Sequence, residues 1–127
     1  MNAPASTNVA PTAFRHVAPM LPVADVERAA AHYRERFGFI VVGVWKDVPY
    51  AVVRRDGVEI HFRGAEAGPS NSIYVYVDDV DATYRELLDR GNSPISPPVN
   101  QSYGLRDFGI RDLDGHLIMF SSPSFNS

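Results

Sequence analysis

An internal repeat limits the fold of this 127-residue chain more than any other feature. The segment Val23-Ala24-Asp25-Val26 corresponds to Val77-Asp78-Asp79-Val80, and the segment 56–62 corresponds to 114–120. In each half, an apolar strand is followed by a helical pattern and then by alternating or apolar runs typical of strands. The sequence therefore predicts two βαβββ units in one α+β domain.

The unit boundaries follow from turn and cap residues. The units are expected at 13–66 and 71–123 of a domain spanning 13–127, with the first strand beginning near Ala13. Asp25 and Asp79 suit helix N-caps, and three prolines in 93–104 reduce that segment to an irregular or edge strand. Residues 1–12 are small, polar and proline-containing, which predicts a flexible tail.

Composition excludes several classes of function. The net charge of -3 and pI near 5.7 give no basic field for nucleic acid or an anionic membrane, and no apolar run approaches membrane-spanning length. The absence of cysteine excludes disulfides, thiolate nucleophiles and cysteine metal sites. No signal peptide is visible, so we expect a soluble, cytoplasmic protein that binds neither nucleic acid nor membranes.

Four segments carry a resemblance to a known family: 21–26, 71–77, 103–108 and 111–116. They resemble the glyoxalase/bleomycin-resistance (vicinal oxygen chelate) superfamily over residues 14–123. The closing run Gly-x-Arg-Asp-Phe-x-x-Arg-Asp-x-Asp-Gly is similar to that of its bleomycin-resistance-type members. The resemblance implies that each sheet curls into a cup with the helices outside, and that two chains pair as a homodimer.

Enzymes of that family place one metal ligand on the first strand and one on the last strand of each unit. By the repeat, these places fall on Ala18, Ser72, His61 and Met119. Only His61 has a donor suited to the divalent ions that carboxylate and imidazole sites hold. We therefore expect no metal and no cofactor, while a displaced site of His16, Glu59 and His61 stays open.

Strand alternation predicts an aromatic cup. Tyr74 and Tyr76 fall on the cup face, while Ile73, Val75 and Val77 face the helix. The resemblance implies an aromatic pair at the positions of Tyr74 and Tyr76, and flat tyrosine rings stack on planar ligands. The predicted ligand-binding residues are Tyr74, Tyr76, His61, Met119, Trp45, Glu59 and Arg106. Arg106 would either rim the pocket or form a surface ion pair.

These observations favour a homodimer that binds and sequesters a planar aromatic small molecule, an antibiotic of the bleomycin type being one candidate, without metal or chemistry. The first alternative is a lyase, isomerase or dioxygenase with an atypical metal site or with His61 as acid or base. The second is a dimerisation module in which the tyrosines pack on Met20, Trp45 and Met119 and fill the cup.

Overall fold

A computed structural model describes residues 9–66 and 68–124. Residues 1–8 of the predicted tail lie outside the described residues, and residues 9–12 form neither helix nor strand. The elements in chain order are β1 Met20–Val23, α1 Val26–Phe37, β2 Ile40–Trp45, β3 Tyr50–Arg55, β4 Val58–Gly64, β5 Ser72–Tyr76, α2 Val80–Asp89, β6 Val99–Asn100, β7 Leu105–Arg111 and β8 Leu117–Pro123.

The two units form two equivalent sheets. The strand orders are β1-β4-β3-β2 and β5-β8-β7-β6, and in each sheet the first and last strands of the unit pair in parallel while the other pairs are antiparallel. The predicted α+β fold of two βαβββ units is confirmed. The proline-rich segment contributes only the two-residue edge strand β6, as its composition indicates.

The start of the first strand was predicted wrongly. β1 begins at Met20 rather than near Ala13, and the side chains of Phe14 and Val17 are 99% and 89% exposed. The Pro19 carbonyl still accepts the backbone N–H of His61 at 2.9 Å, but Pro19 has no N–H to continue the ladder. Apolar residues before Pro19 therefore lack the sheet partner that a strand requires.

Both helices begin at the predicted caps. The Asp25 carboxylate accepts the backbone N–H groups of Glu27 and Arg28, and the Asp79 carboxylate accepts that of Ala82. Gly38 ends α1 in the left-handed conformation, with φ 73°. Among the described residues, neither helix has the length and apolar character needed to cross a membrane.

One hydrophobic core joins the two units. The apolar side of α1 packs on β3 and β4, while the Phe37 ring also reaches Phe120 of β8 at 6.0 Å. Buried residues from both sheets and both helices form this cluster, including Tyr33, Phe62, Leu87, Phe108 and Ile118. Each sheet therefore has one face that packs on the core and a second face without a helix, which we call its open face.

Polar contacts also link the two units. The Tyr33 hydroxyl donates to the Asp112 carboxylate at 2.7 Å, and Asp112 also accepts the backbone N–H groups of Asp114 and His116. Arg55 of the first unit also makes two 2.8 Å hydrogen bonds to Glu86 of α2. Asp112 therefore holds the β7–β8 turn and also links the two units.

Candidate functional site

An aromatic pair lies on the open face of the C-terminal sheet. Along β5, Val75 is buried on the core side, whereas Tyr74 and Tyr76 are 48% and 68% exposed on the opposite side. Their rings stack with centroids 6.3 Å apart and planes inclined by 25°. Within one chain these tyrosines are therefore not packed into a filled interior, and their faces remain accessible to a flat ligand.

A third tyrosine joins this pair through a buried carboxylate. The Tyr103 hydroxyl lies 3.3 Å from that of Tyr74 and donates to Asp107 at 3.1 Å. Asp107 is only 2% exposed and also accepts a 3.0 Å hydrogen bond from the Gln101 side chain. Because it donates to this carboxylate, the Tyr103 hydroxyl keeps its proton at neutral pH.

The ladder register arranges the same face in two rows. One row runs Tyr74, Met119, Gly109, and the other runs Tyr76, Ser121, Asp107. Met119 lies over Gly109, since a β-carbon on Gly109 would stand 2.8 Å from the Met119 sulfur. The buried Ser121 hydroxyl has no hydrogen-bond partner among the described residues. The predicted Met119 therefore lies beside Tyr74, as the floor of the aromatic surface.

A second cluster lies on the open face of the N-terminal sheet. His61 of β4 contacts the Tyr50 hydroxyl through Nδ1 at 2.5 Å and the Glu59 carboxylate through Nε2 at 2.7 Å. Nε2 of His16 stands 3.9 Å from the same carboxylate. The hydrogen bond from His61 is the main cause that lowers the pKa of Glu59. Glu59 is therefore ionised at neutral pH.

Trp45 belongs to this second cluster. It pairs with Tyr50 in the β2–β3 ladder, and its half-exposed ring lies across Gly43, where a β-carbon would stand 2.5 Å from the ring. Gly43 is thus needed for the close approach of the indole. The sequence placed Trp45, Glu59 and His61 in the site but missed Tyr50, whose role depends on the β3–β4 register.

A groove connects the two clusters. It has a volume of about 480 Å³, runs between β4 and β5, and is lined by Tyr74, Tyr76 and Glu59 together with Val17 and Pro19. A larger cavity of about 610 Å³ lies between the turn joining β3 and β4 and the start of α2, with Tyr76 again in its wall. Three of the predicted ligand-binding residues therefore border one concave surface.

Of the four family metal positions, only His61 carries a strong donor. Ala18 precedes β1 and has no donor, Ser72 and Met119 supply weak or soft donors, and both ring nitrogens of His61 face Tyr50 and Glu59. In residues 9–66 and 68–124, no group of three or more His, Asp or Glu side chains is arranged to hold a metal ion. This arrangement gives no support to a displaced site of His16, Glu59 and His61.

Arg106 lies apart from both clusters. Alternation along β7 directs it to the helix side, where its guanidinium pairs with Asp81 of α2 at 3.0 Å and donates to the Asn100 side chain at 3.1 Å. Of the two roles left open for Arg106, the ion pair is the one observed. Alternation along β7 places Asp107, rather than Arg106, on the aromatic surface.

Comparisons with known proteins agree with this architecture. The sequence profile of the Glyoxalase/Bleomycin resistance protein/Dioxygenase superfamily matches residues 13–120. No curated protein matches the chain by sequence.

Solved structures show the same fold at low sequence identity. TioX from Micromonospora sp. ML1 is 24% identical, with a TM-score of 0.75 over 87% of this chain and 100% of its own. The bleomycin-binding protein of Streptomyces verticillus, solved with copper(II)-bleomycin, is 22% identical, with a TM-score of 0.76 over 89% and 99%. The bleomycin resistance determinant of transposon Tn5 is 22% identical, with a TM-score of 0.75 over 88% and 100%.

Proposed function

Because this chain belongs to the glyoxalase/bleomycin resistance protein/dioxygenase superfamily, we propose that it binds a planar aromatic small molecule and holds it without chemical change. The observation that carries this proposal is the exposed, stacked pair Tyr74 and Tyr76 beside the groove. Rigid aromatic side chains bind flat ligands at low cost in conformational entropy. The poor donor set at the family metal positions supports binding rather than metal-dependent catalysis.

The similar structures support sequestration as the biological use of such binding. Two of them are named for bleomycin binding or bleomycin resistance, and one contains copper(II)-bleomycin. A net charge of -3 gives this chain only modest long-range attraction for a cationic drug. We therefore propose a planar aromatic ligand, with antibiotics as one source, and do not assign bleomycin itself.

We expect the binding form to be a homodimer. The open faces expose Met20, Ile40, Val42, Trp45, Tyr74 and Tyr76. Such a set of apolar side chains is typical of a surface that a partner covers, and a second copy would supply equivalent faces. Light scattering should give twice 14.0 kDa, or about 28 kDa, at micromolar concentrations. A mass near that of one chain would contradict the dimer.

A screen of planar aromatic natural products tests the binding function. Quenching of Trp45, the single tryptophan, reports binding near the N-terminal cluster, and thermal shift supplies a second signal. Each lost stacking contact is worth about 1 kcal/mol, so the double variant Tyr74→Ala/Tyr76→Ala should weaken binding at least about tenfold. Leu113→Ala is the matched control, because Leu113 is also 48% exposed but lies in the β7–β8 turn.

The result that would reject this site is equal binding by the double variant and the parent. Folding of the variant can be verified by circular dichroism, since the core-facing Ile73 and Val75 are unchanged. If both variants bind as the parent does, the ligand site lies elsewhere. If the Leu113 variant loses affinity equally, the effect is not specific to the tyrosines.

Acid–base catalysis is the second candidate, and the contacts of His61 favour it. The Glu59 carboxylate orients the His61 ring, and His61 in turn contacts the Tyr50 hydroxyl. A histidine oriented by a carboxylate in this way is a common acid–base catalyst. Mass spectrometry of a bound compound recovered after incubation in D2O distinguishes the two functions. An unchanged mass supports sequestration. Deuterium uptake or conversion that His61→Gln abolishes would favour the enzyme.

A further inference from the structure

We infer that the ligand of these open faces carries hydrogen-bond donors, because each aromatic cluster ends in a tyrosine oxygen that can only accept. This inference rests on the proposed binding function and specifies its ligand class. The argument depends on which atom supplies the hydrogen at each contact. Carboxylates have no hydrogen to give, so they determine the direction of every hydrogen bond that follows.

In the C-terminal sheet the series starts at Asp107. Its carboxylate accepts from Tyr103 at 3.1 Å, which uses the only hydroxyl hydrogen that Tyr103 has. In the 3.3 Å contact between the two tyrosines, the hydrogen must therefore come from Tyr74. The Tyr74 oxygen is left with lone pairs alone. Any ligand group that hydrogen-bonds to this oxygen has to be a donor.

The N-terminal sheet repeats this direction with different residues. The ionised Glu59 requires a hydrogen on Nε2 of His61, across the 2.7 Å contact. In the neutral ring Nδ1 then has no hydrogen and accepts from the Tyr50 hydroxyl at 2.5 Å. With a neutral His61 ring, the Tyr50 oxygen thus presents only lone pairs, like that of Tyr74. Different side chains orient Tyr50 and Tyr74, but both tyrosine oxygens present a hydrogen-bond acceptor to a ligand.

The surroundings of Asp107 point to the same class of ligand. Among the described residues, the buried Asp107 pairs with no lysine or arginine and is held by Gln101 and Tyr103, whereas the more exposed Glu59 has Arg54 across the β3–β4 ladder. A buried carboxylate without a countercharge favours a positive group nearby. The ligand class that fits is a planar aromatic compound bearing amine, amidine or guanidine N–H groups.

Two probes that share one ring system test this inference. 2-Naphthamidine presents only N–H donors, whereas 2-naphthoate presents only acceptors, and binding of each is measured by calorimetry and by Trp45 fluorescence. We expect the wild-type protein to favour the amidine by about tenfold or more, the range of one hydrogen bond to a charged group. Ring stacking is common to both probes and cancels in this ratio.

Variants that change a single group distinguish the effect of the Tyr74 oxygen on the amidine preference from the effects of net charge and ring stacking. Tyr74→Phe removes the oxygen but keeps the ring and the net charge, and it should lower the amidine preference about tenfold. Tyr84→Phe is the matched control, because Tyr84 lies on α2, packs on Phe108 and has no hydroxyl hydrogen bond to any described residue; the preference of this variant for the amidine should equal that of the wild type. In Asp107→Asn the amide can donate to Tyr103, which frees the Tyr74 hydrogen and should shift the preference toward 2-naphthoate.

The outcomes distinguish this inference from the function on which it rests. If both probes bind equally and Tyr74→Phe changes nothing, the donor requirement is wrong while aromatic binding stands. If neither probe binds, or if Tyr74→Ala/Tyr76→Ala leaves their binding unchanged, the proposed function and the inference both fail. If Asp107→Asn does not fold, the Tyr74→Phe ratio alone decides.

Discussion

Replacing Tyr33 with phenylalanine tests how the two units are held together. Tyr33 is 1% exposed on α1, and its hydroxyl donates a 2.7 Å hydrogen bond to Asp112 in the second unit. The substitution keeps the ring, so its packing on Phe37, Phe39 and Phe62 is preserved. A hydrogen bond to a charged group contributes roughly 1.5–3 kcal/mol, so we expect Tyr33→Phe to lower the free energy of unfolding by about 2 kcal/mol at pH 7.

The pH dependence of this difference gives the prediction a second, independent test. Burial, then Asp112, raises the pKa of Tyr33 well above its ordinary value of 10.0. A group whose pKa is higher in the folded than in the unfolded protein stabilises the fold fully at a pH below its unfolded pKa. This contribution of Tyr33 decreases as the pH rises above about 10. Above that pH the unfolded chain releases a proton that the folded protein retains. The wild type should therefore lose about 1.36 kcal/mol per pH unit relative to the variant.

These two effects predict that the stability curves of wild type and Tyr33→Phe cross as the pH rises. A 2 kcal/mol advantage is cancelled after about 1.5 pH units, so wild type and Tyr33→Phe should be equally stable near pH 11.5. Urea unfolding between pH 7 and 11.5, followed by Trp45 fluorescence and circular dichroism, measures the difference. Contributions of the residues that wild type and variant share cancel in this difference.

Tyr84→Phe is the control for the loss of a hydroxyl. Tyr84 packs on Phe108 at 5.3 Å, and its hydroxyl has no hydrogen bond to any described residue. We expect Tyr84→Phe to lower the free energy of unfolding at pH 7 by less than about 0.5 kcal/mol. A constant difference between wild type and Tyr33→Phe up to pH 11.5, or one no larger than that of the control, would refute the role assigned to the contact with Asp112.

Three further predictions follow from individual contacts. Glu86→Gln should cost about 1 kcal/mol at pH 7, a value discounted for partial exposure, because it weakens the paired hydrogen bonds with Arg55. Arg55 lowers the pKa of Glu86, so this stability is present above the unfolded value of 4.5 and is lost as the pH falls through the folded value; urea unfolding should show a smaller difference at pH 3 than at pH 7. Gly43→Ala should displace the Trp45 ring and shift its emission maximum with little change in stability, whereas Gly57→Ala, where nothing lies within 4 Å of a new β-carbon, should leave the emission unchanged. Elemental analysis after purification without chelators should find no stoichiometric metal, since only His61 of the four family positions is a strong ligand; about one zinc, manganese, iron or nickel per chain that His61→Ala removes would overturn this expectation.

Local pattern was sufficient to predict the repeat and much of the aromatic surface. Alternation with a period of two residues assigns Tyr74 and Tyr76 to one face and Ile73 and Val75 to the other, whatever the strand pairs with. Asp25 and Asp79 begin the helices by contacts within the next few residues. Such features depend on near neighbours in the chain, and the sequence specifies them directly.

The tertiary structure decided which side chains meet across strands. Tyr103 and Asp107 join Tyr74 only because the β6–β7 hairpin reaches the face of β5, and Tyr50 meets His61 only through the β3–β4 register. The extent of β1 and the pairing of Arg106 with Asp81 likewise depend on partners distant in sequence. Hydrogen bonds require atoms placed within a few tenths of an ångström, and that placement follows from long-range packing that no local period encodes.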